Sequence, residues 1–157
     1  MIEQIYNYFT IENVFLWLNL GVLPFWIVLM FFPQSKICKI LTASIFPIFI
    51  FSIIYLYLIY ILFSNDYNFL ENFNLYLGID HLLNLLSNSS FTILFWTHFL
   101  SINLFCGGWV VKDSVKYDIP KFFIIFSLIL IYLIGPIGLF LYWVIKIFFA
   151  KKISLYD

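Results

Sequence analysis

The chain has 157 residues, of which 64% are hydrophobic, 24% aromatic and only 10% charged, and its eight basic residues balance eight acidic ones. Soluble domains average about 25% charged residues, so this composition cannot supply a water-facing surface. It excludes a soluble globular enzyme, a disordered protein and a nucleic-acid-binding protein, which needs a basic surface to meet phosphate. Two cysteines are too few for a disulfide-framework protein. We therefore predict a single transmembrane domain over residues 1–157.

Four uncharged stretches are long enough to cross a bilayer, which requires about 20 helical residues. Each is predicted to be an α-helix, because lipid offers no hydrogen-bond partner to the backbone of an isolated strand. The apolar runs are continuous rather than alternating, which argues against a β-barrel. The sequence thus predicts an all-α, integral membrane four-helix bundle. Its predicted spans are residues 14–32, 40–63, 91–111 and 122–145.

The connections between these spans differ in length and charge. Residues 34–39 and 112–121 form short turns that carry lysine, whereas residues 64–90 are polar and rich in asparagine. Within the long loop, residues 78–87 place apolar side chains on one helical face, which predicts a short interfacial helix; a cap over a binding cavity is the alternative. Five lysines in the short turns, against three at the carboxyl terminus, favour cytoplasmic turns and both termini outside.

Three of the predicted spans contain a proline, and each proline is expected to kink its helix. These prolines are Pro24, Pro47 and Pro136. Pro136 lies between Gly135 and Gly138, close to the middle of the fourth span. Carbonyl groups released there must face protein or a cavity rather than lipid, so the segment is a candidate part of a binding site. Alternatively, the two glycines only allow close contact between helices.

The third predicted span carries the densest set of polar residues. His98 shares a helical face with Ser101, while Asn103 lies on roughly the opposite side. An ionisable residue at membrane depth indicates a functional site; a neutral imidazole bonded to a neighbouring helix is the structural alternative. Asp113 follows among lysines, which indicates a solvated turn. No Glu-x-x-His helix pair and no glycine-rich phosphate loop occur in the sequence, so we expect neither a metal nor another cofactor.

Several short patterns resemble the neoxanthin-synthase-like family, whose plant member is named for abscisic acid deficiency. The resemblance covers nearly the whole chain and is most specific on the third span and the turn after it. The patterns are Leu23-Pro24-Phe-Trp26 with Pro33, Trp96-Thr-His98-Phe-Leu100, Asn103-Leu-Phe105-Cys-Gly107-Gly-Trp109, Asp113, Ile119-Pro120 and Gly135-Pro136-Ile-Gly138-Leu-Phe-Leu-Tyr142.

The resemblance implies a small four-helix membrane protein. In plants the family is needed to form neoxanthin from violaxanthin, a carotenoid isomerisation that opens an epoxide into an allene. That chemistry needs an acid at the epoxide oxygen and a base at carbon, without a redox cofactor. By this resemblance His98 is the first candidate for proton transfer and Asp113 the second. The family commonly has Asp in place of Asn103 and often Arg in place of Gly108, so the violaxanthin substrate is not carried over.

We therefore expect a polytopic membrane protein that handles a carotenoid or other isoprenoid, as an isomerase that uses acid–base chemistry. The alternative is a non-catalytic accessory or lipophile-binding subunit of a larger membrane complex, and a homo-oligomer is also compatible with the sequence. Residues with A/T-rich codons dominate, which favours a bacterial cytoplasmic membrane, with a plastid membrane as the alternative. The expected substrate-binding residues are Trp96, Ser101, Asn103, Gly135, Pro136 and Gly138.

Overall fold

The computed structural model describes residues 9–44, 46–65 and 67–151, and all regular structure within these ranges is helical. Among the described residues, three helices, α1, α3 and α5, are long and apolar enough to cross a membrane. The all-helical prediction is confirmed, but the described residues form eight helices rather than a bundle of four. In chain order these are α1 (Ile11–Phe31), α2 (Lys36–Ala43), α3 (Phe46–Ser64), a 3₁₀ helix (Phe69–Tyr76), α4 (Ile79–Ser87), α5 (Ser89–Lys116), α6 (Lys121–Ile134) and α7 (Pro136–Ala150).

The second predicted span starts too early, because its first residues belong to the separate helix α2. The hydroxyl of Ser35 accepts a hydrogen bond from the Cys38 amide at 3.0 Å and caps the start of α2. The helix ends at Ser44, whose backbone is extended. Pro47 then occupies the second position of α3, where its missing N–H removes no helical hydrogen bond. The predicted kink at Pro47 is therefore wrong.

The fourth predicted span, residues 122–145, is not a single helix. α6 ends at Gly135, which has φ +73° and donates its amide to the carbonyls of Leu130 and Ile131. Pro136 opens α7, so it starts a helix instead of kinking one. The rings of Phe123 and Phe149 lie with centroids 5.5 Å apart, which brings the far ends of α6 and α7 together. The two helices form an antiparallel pair, which we call the α6–α7 hairpin.

Gly138 explains how the two helices of the hairpin approach so closely. A Cβ atom at this position would lie 2.6 Å from Cγ1 of Ile131 and 2.7 Å from the carbonyl carbon of Leu130. It would also meet the backbone nitrogen of Ile131. Glycine is the residue that leaves room for the α6 backbone here. Close helix contact, which the sequence offered as an alternative for Gly138, is its observed role.

The contacts divide the chain into two compact units, to which α1, α3 and α5 each contribute residues. Unit 1 comprises Met1–Leu20 and Phe49–Phe99, and unit 2 comprises Gly21–Ile48 and Leu100–Asp157. Within unit 1, the helix predicted over residues 78–87 is observed as α4, with Leu85 buried, and its position at the membrane interface stays a prediction. Within unit 2, α6 packs inward through small or aliphatic side chains, α7 also buries a tyrosine and a lysine, and both helices expose phenylalanine outward. A surface of this kind suits lipid rather than water.

Candidate functional site

Asp113 lies at the centre of a buried polar cluster in unit 2. Its Oδ2 atom accepts a 2.6 Å hydrogen bond from the Tyr142 hydroxyl and lies 2.7 Å from the Lys146 ammonium nitrogen. The Lys146 side chain is only 4% exposed and that of Asp113 only 11%. The solvated turn predicted for Asp113 is therefore wrong, because α7 packs over this carboxylate. We call Asp113, Tyr142 and Lys146 the Asp113 cluster.

Aromatic rings enclose the Asp113 cluster. The Lys146 ammonium lies 4.9 Å from the centroid of the Tyr117 ring and 5.7 Å from that of Trp109. Trp109 also packs edge-to-face on Tyr142, with centroids 5.7 Å apart. A buried ammonium needs both an anionic partner and polarisable surroundings to offset its lost hydration. The cluster thus fastens α7 to the carboxyl end of α5.

The other side of Trp109 borders an apolar cavity of about 390 Å³, which we call the Trp109 cavity. It lies within unit 2, between the second half of α1, the α2–α3 segment and α5. Lys112 carries the only formal charge in its lining, and two hydroxyl groups are nearby. The lining residues are Phe25, Leu29, Leu41, Thr42, Ser44, Pro47, Ile48, Leu104, Phe105, Gly108, Trp109 and Lys112.

The structure brings two predicted binding residues, Asn103 and Gly135, into direct contact. A Cβ atom on Gly135 would lie 2.8 Å from the Oδ1 atom of Asn103. The Asn103 side chain is buried, and its amide nitrogen has no hydrogen-bond partner among the described residues. Asn103 therefore meets the turn of the α6–α7 hairpin.

None of the predicted site residues is among the residues that line the Trp109 cavity, and Trp96 and His98 belong to unit 1. His98 is exposed and lies in the part of α5 that belongs to unit 1. Trp96 donates a 3.2 Å hydrogen bond from Nε1 to the side-chain Oδ1 atom of Asn19 within unit 1. Ser101 is half-buried, and Pro136 is exposed at the start of α7. The two predicted catalytic residues thus belong to different units, His98 to unit 1 and Asp113 to unit 2.

A second, polar cavity of about 510 Å³ lies in unit 1 between the 3₁₀ helix and α4. Glu71, His81 and Asn84 are among the residues that line it. Burial, and then the charge of Glu71, raise the pKa of the Tyr67 hydroxyl at its edge. Such a lining does not suit a lipophilic ligand, so this cavity lends no support to a lipophile-binding cap over the membrane.

Sequence reasoning missed Tyr142 and Lys146 as members of a polar site. The signal for Lys146 is present, because four uncharged residues of α7 follow it before the next lysine. A lysine inside an apolar helix requires a partner, and Asp113 is the carboxylate that α5 supplies. Tyr142 carries no such signal, since tyrosine is also common at membrane interfaces.

In the part of the chain that the structure describes, no three His, Cys, Asp or Glu residues lie close enough together to hold a metal ion.

No curated protein and no solved structure matches the chain. The family patterns noted in the sequence lie on α1, α5 and α7 and in the segments next to them, and the stretch that carries them matches a known family. Residues 13–142 match the ABA DEFICIENT 4-like family. Because this match covers most of the sequence, the chain belongs to that family.

Proposed function

We propose that this chain is a membrane protein that binds a carotenoid or another isoprenoid in the Trp109 cavity. The observation that carries the proposal is the lining, which is largely apolar and aromatic and contains a few polar groups at one side. Ligand sites for small lipophilic molecules have this composition, because apolar walls supply affinity and a few polar groups fix orientation. Lys112, Thr42 and Ser44 would bind an oxygen function on the ligand.

The volume of the cavity supports the binding of one end of such a molecule. About 390 Å³ lies at the low end of the range of roughly 300–1,000 Å³ for ligand pockets. Phe105 and Lys112 line the cavity and are themselves exposed, so the cavity opens at the protein surface. We infer that a ring or polar end group enters, while the rest of the polyene stays in lipid.

Pigment retention tests this proposal. The chain is expressed in a bacterium that makes carotenoids, purified in mild detergent and extracted for pigment. Gly108→Leu should fill the cavity and lower bound pigment several-fold, because Gly108 lines it and a Cβ there would meet only Thr42, at 3.8 Å. Gly21→Leu is the control, since nothing lies within 4 Å of that position. Equal pigment loss in both variants, or none in either, would contradict the proposal.

A second candidate function is isomerisation of a carotenoid by acid–base chemistry, as membership of the ABA DEFICIENT 4-like family suggests. The contact between Trp109 and Tyr142 supports it, because this contact links the cavity to a hydroxyl donor and a carboxylate acceptor. Tyr142 would give its proton to the epoxide oxygen as the C–O bond breaks, and Asp113 would take the proton that leaves carbon. The hydrogen bond between the two side chains would then return that proton to Tyr142. His98 is the alternative proton-transfer residue, for a ligand that approaches α5 from the lipid.

Product analysis with epoxide-bearing carotenoids separates these assignments. If the Asp113 cluster works in catalysis, Tyr142→Phe should abolish product while His98→Gln keeps it. The opposite result would assign proton transfer to the exposed face of α5. Pigment binding without product in the unaltered chain would favour a lipophile-binding subunit, and a protein that co-purifies in mild detergent would identify the larger complex.

A further inference from the structure

The α6–α7 hairpin starts beside the carboxyl end of α1 and finishes beside the carboxyl end of α5. At its start, the ammonium group of Lys121 donates a hydrogen bond to the Phe31 carbonyl, at the carboxyl end of α1. Near its finish, Lys146 reaches Asp113, which lies in the last turn of α5. The first arm of the hairpin thus meets the carboxyl end of α1, and the second arm meets the carboxyl end of α5.

The turn of the hairpin lies beside the middle of α5. Gly135 touches Asn103, the fifteenth of the 28 residues in that helix. α6 has 14 residues, which corresponds to about 21 Å. The hydrocarbon core of a bilayer is about 30 Å thick, so α6 is too short to cross it unaided.

Positive charge accompanies the same helix ends. Every lysine in the described part of the chain belongs to unit 2, and all but Lys146 are exposed. The lysines flank the carboxyl ends of α1 and α5 or lie on the arms of the hairpin. The described acids of unit 1, in contrast, have no lysine beside them. The described lysines are Lys36, Lys39, Lys112, Lys116, Lys121, Lys146 and Lys151.

We propose that the chain crosses the membrane three times, through α1, α3 and α5, and that the α6–α7 hairpin enters the bilayer and returns to the side from which it started. Lysine-rich segments remain in the cytoplasm, where they meet anionic lipid headgroups. Residue 151 therefore lies on the cytoplasmic side with the α1–α2 turn, and the 3₁₀ helix lies outside. This topology replaces the one expected from four spans, in which Lys146 and the α1–α2 turn lie on opposite sides.

Cysteine labelling in intact bacteria tests this topology. In a Cys38→Ala, Cys106→Ala background, single cysteines are placed by Lys36→Cys, Tyr76→Cys and Lys151→Cys and treated with a membrane-impermeant maleimide. Tyr76→Cys should label at least about tenfold more than the other two until the cells are permeabilised. Labelling of Lys151→Cys together with Tyr76→Cys would overturn the proposal, because α6 and α7 would then cross the bilayer in succession.

Reporter fusions provide a second measurement that leaves both native cysteines in place. The full chain carries at its carboxyl terminus either green fluorescent protein, which fluoresces in the cytoplasm, or alkaline phosphatase, which is active outside it. We expect fluorescence without phosphatase activity. Phosphatase activity without fluorescence would overturn the proposal even if the cysteine variants fail to fold. Either outcome is independent of whether the Trp109 cavity binds an isoprenoid.

Discussion

The rings of Phe123 and Phe149 lie 5.5 Å apart, centroid to centroid, although the two residues are 26 positions apart in the sequence. A continuous helix would separate these residues by roughly 39 Å. Their contact therefore requires the chain to reverse between them, and the positive φ of Gly135 provides the reversal. It also brings Lys146 back to Asp113, so the Asp113 cluster depends on the same turn.

Substitution of Gly138 should test how tightly the hairpin is packed. Gly138→Ala should destabilise the protein by about 1–3 kcal/mol, because the new methyl group meets α6 backbone atoms that cannot move aside. Thermal unfolding in detergent, followed by loss of monodisperse protein, measures the effect. Gly21→Ala is the matched control and should stay within about 1 kcal/mol of the native chain, since its Cβ meets open space. Similar unfolding midpoints for the two variants would argue against the close approach of α6 and α7.

The Asp113–Lys146 ion pair predicts a specific pattern in a double-mutant cycle. Lys146→Met or Asp113→Asn alone should cost about 3–5 kcal/mol, because each leaves a charge buried without its partner. The double variant should recover much of that loss, since no uncompensated charge remains. Unfolding midpoints of the four proteins measure the coupling. Effects that simply add would show that the two charges do not interact.

Trp96 should contribute to packing rather than to ligand binding. Trp96→Phe removes the hydrogen bond to Asn19 but keeps an aromatic ring, so stability should fall by about 0.6 kcal/mol and by no more than roughly 1.7. Asn19→Leu, which removes the acceptor instead, should have a similar effect. Pigment content of the purified variants should match that of the native chain. Selective pigment loss in Trp96→Phe would return this residue to the binding site.

The thiol of Cys38 should react slowly with maleimide in the folded protein. It is buried in α2, and burial raises the pKa of its thiol above the ordinary value. In a Cys106→Ala variant at pH 8, maleimide should react at least about tenfold more slowly before denaturation than after it, because only the thiolate attacks. The raised pKa also means that this group's contribution to stability is present below the ordinary thiol pKa and declines as pH rises through the folded-state value. Equal rates before and after denaturation would show that Cys38 is accessible.

The membrane helices could be predicted from the sequence because long apolar runs mark them. α1, α3 and α5 overlap the first three predicted spans, and α4 agrees with the predicted interfacial helix, because each signal is local. The family resemblance also depended on local patterns, and the family match over residues 13–142 confirms it. For the candidate site, the sequence pointed to Asn103 through its polarity and to Gly135 through the glycine–proline pair, whereas Asp113 was a candidate only by the family resemblance.

Only the tertiary structure decided how the last apolar run is used. Hydropathy does not distinguish one long span from two short antiparallel helices in an apolar run of this length. In both arrangements the backbone hydrogen bonds are formed within helices. The choice depends on contacts between distant residues: Asn103 against Gly135, and Asp113 with Lys146. A buried lysine is tolerated only where its carboxylate partner is already positioned, and that position is set by packing against α5 rather than by neighbours in the chain.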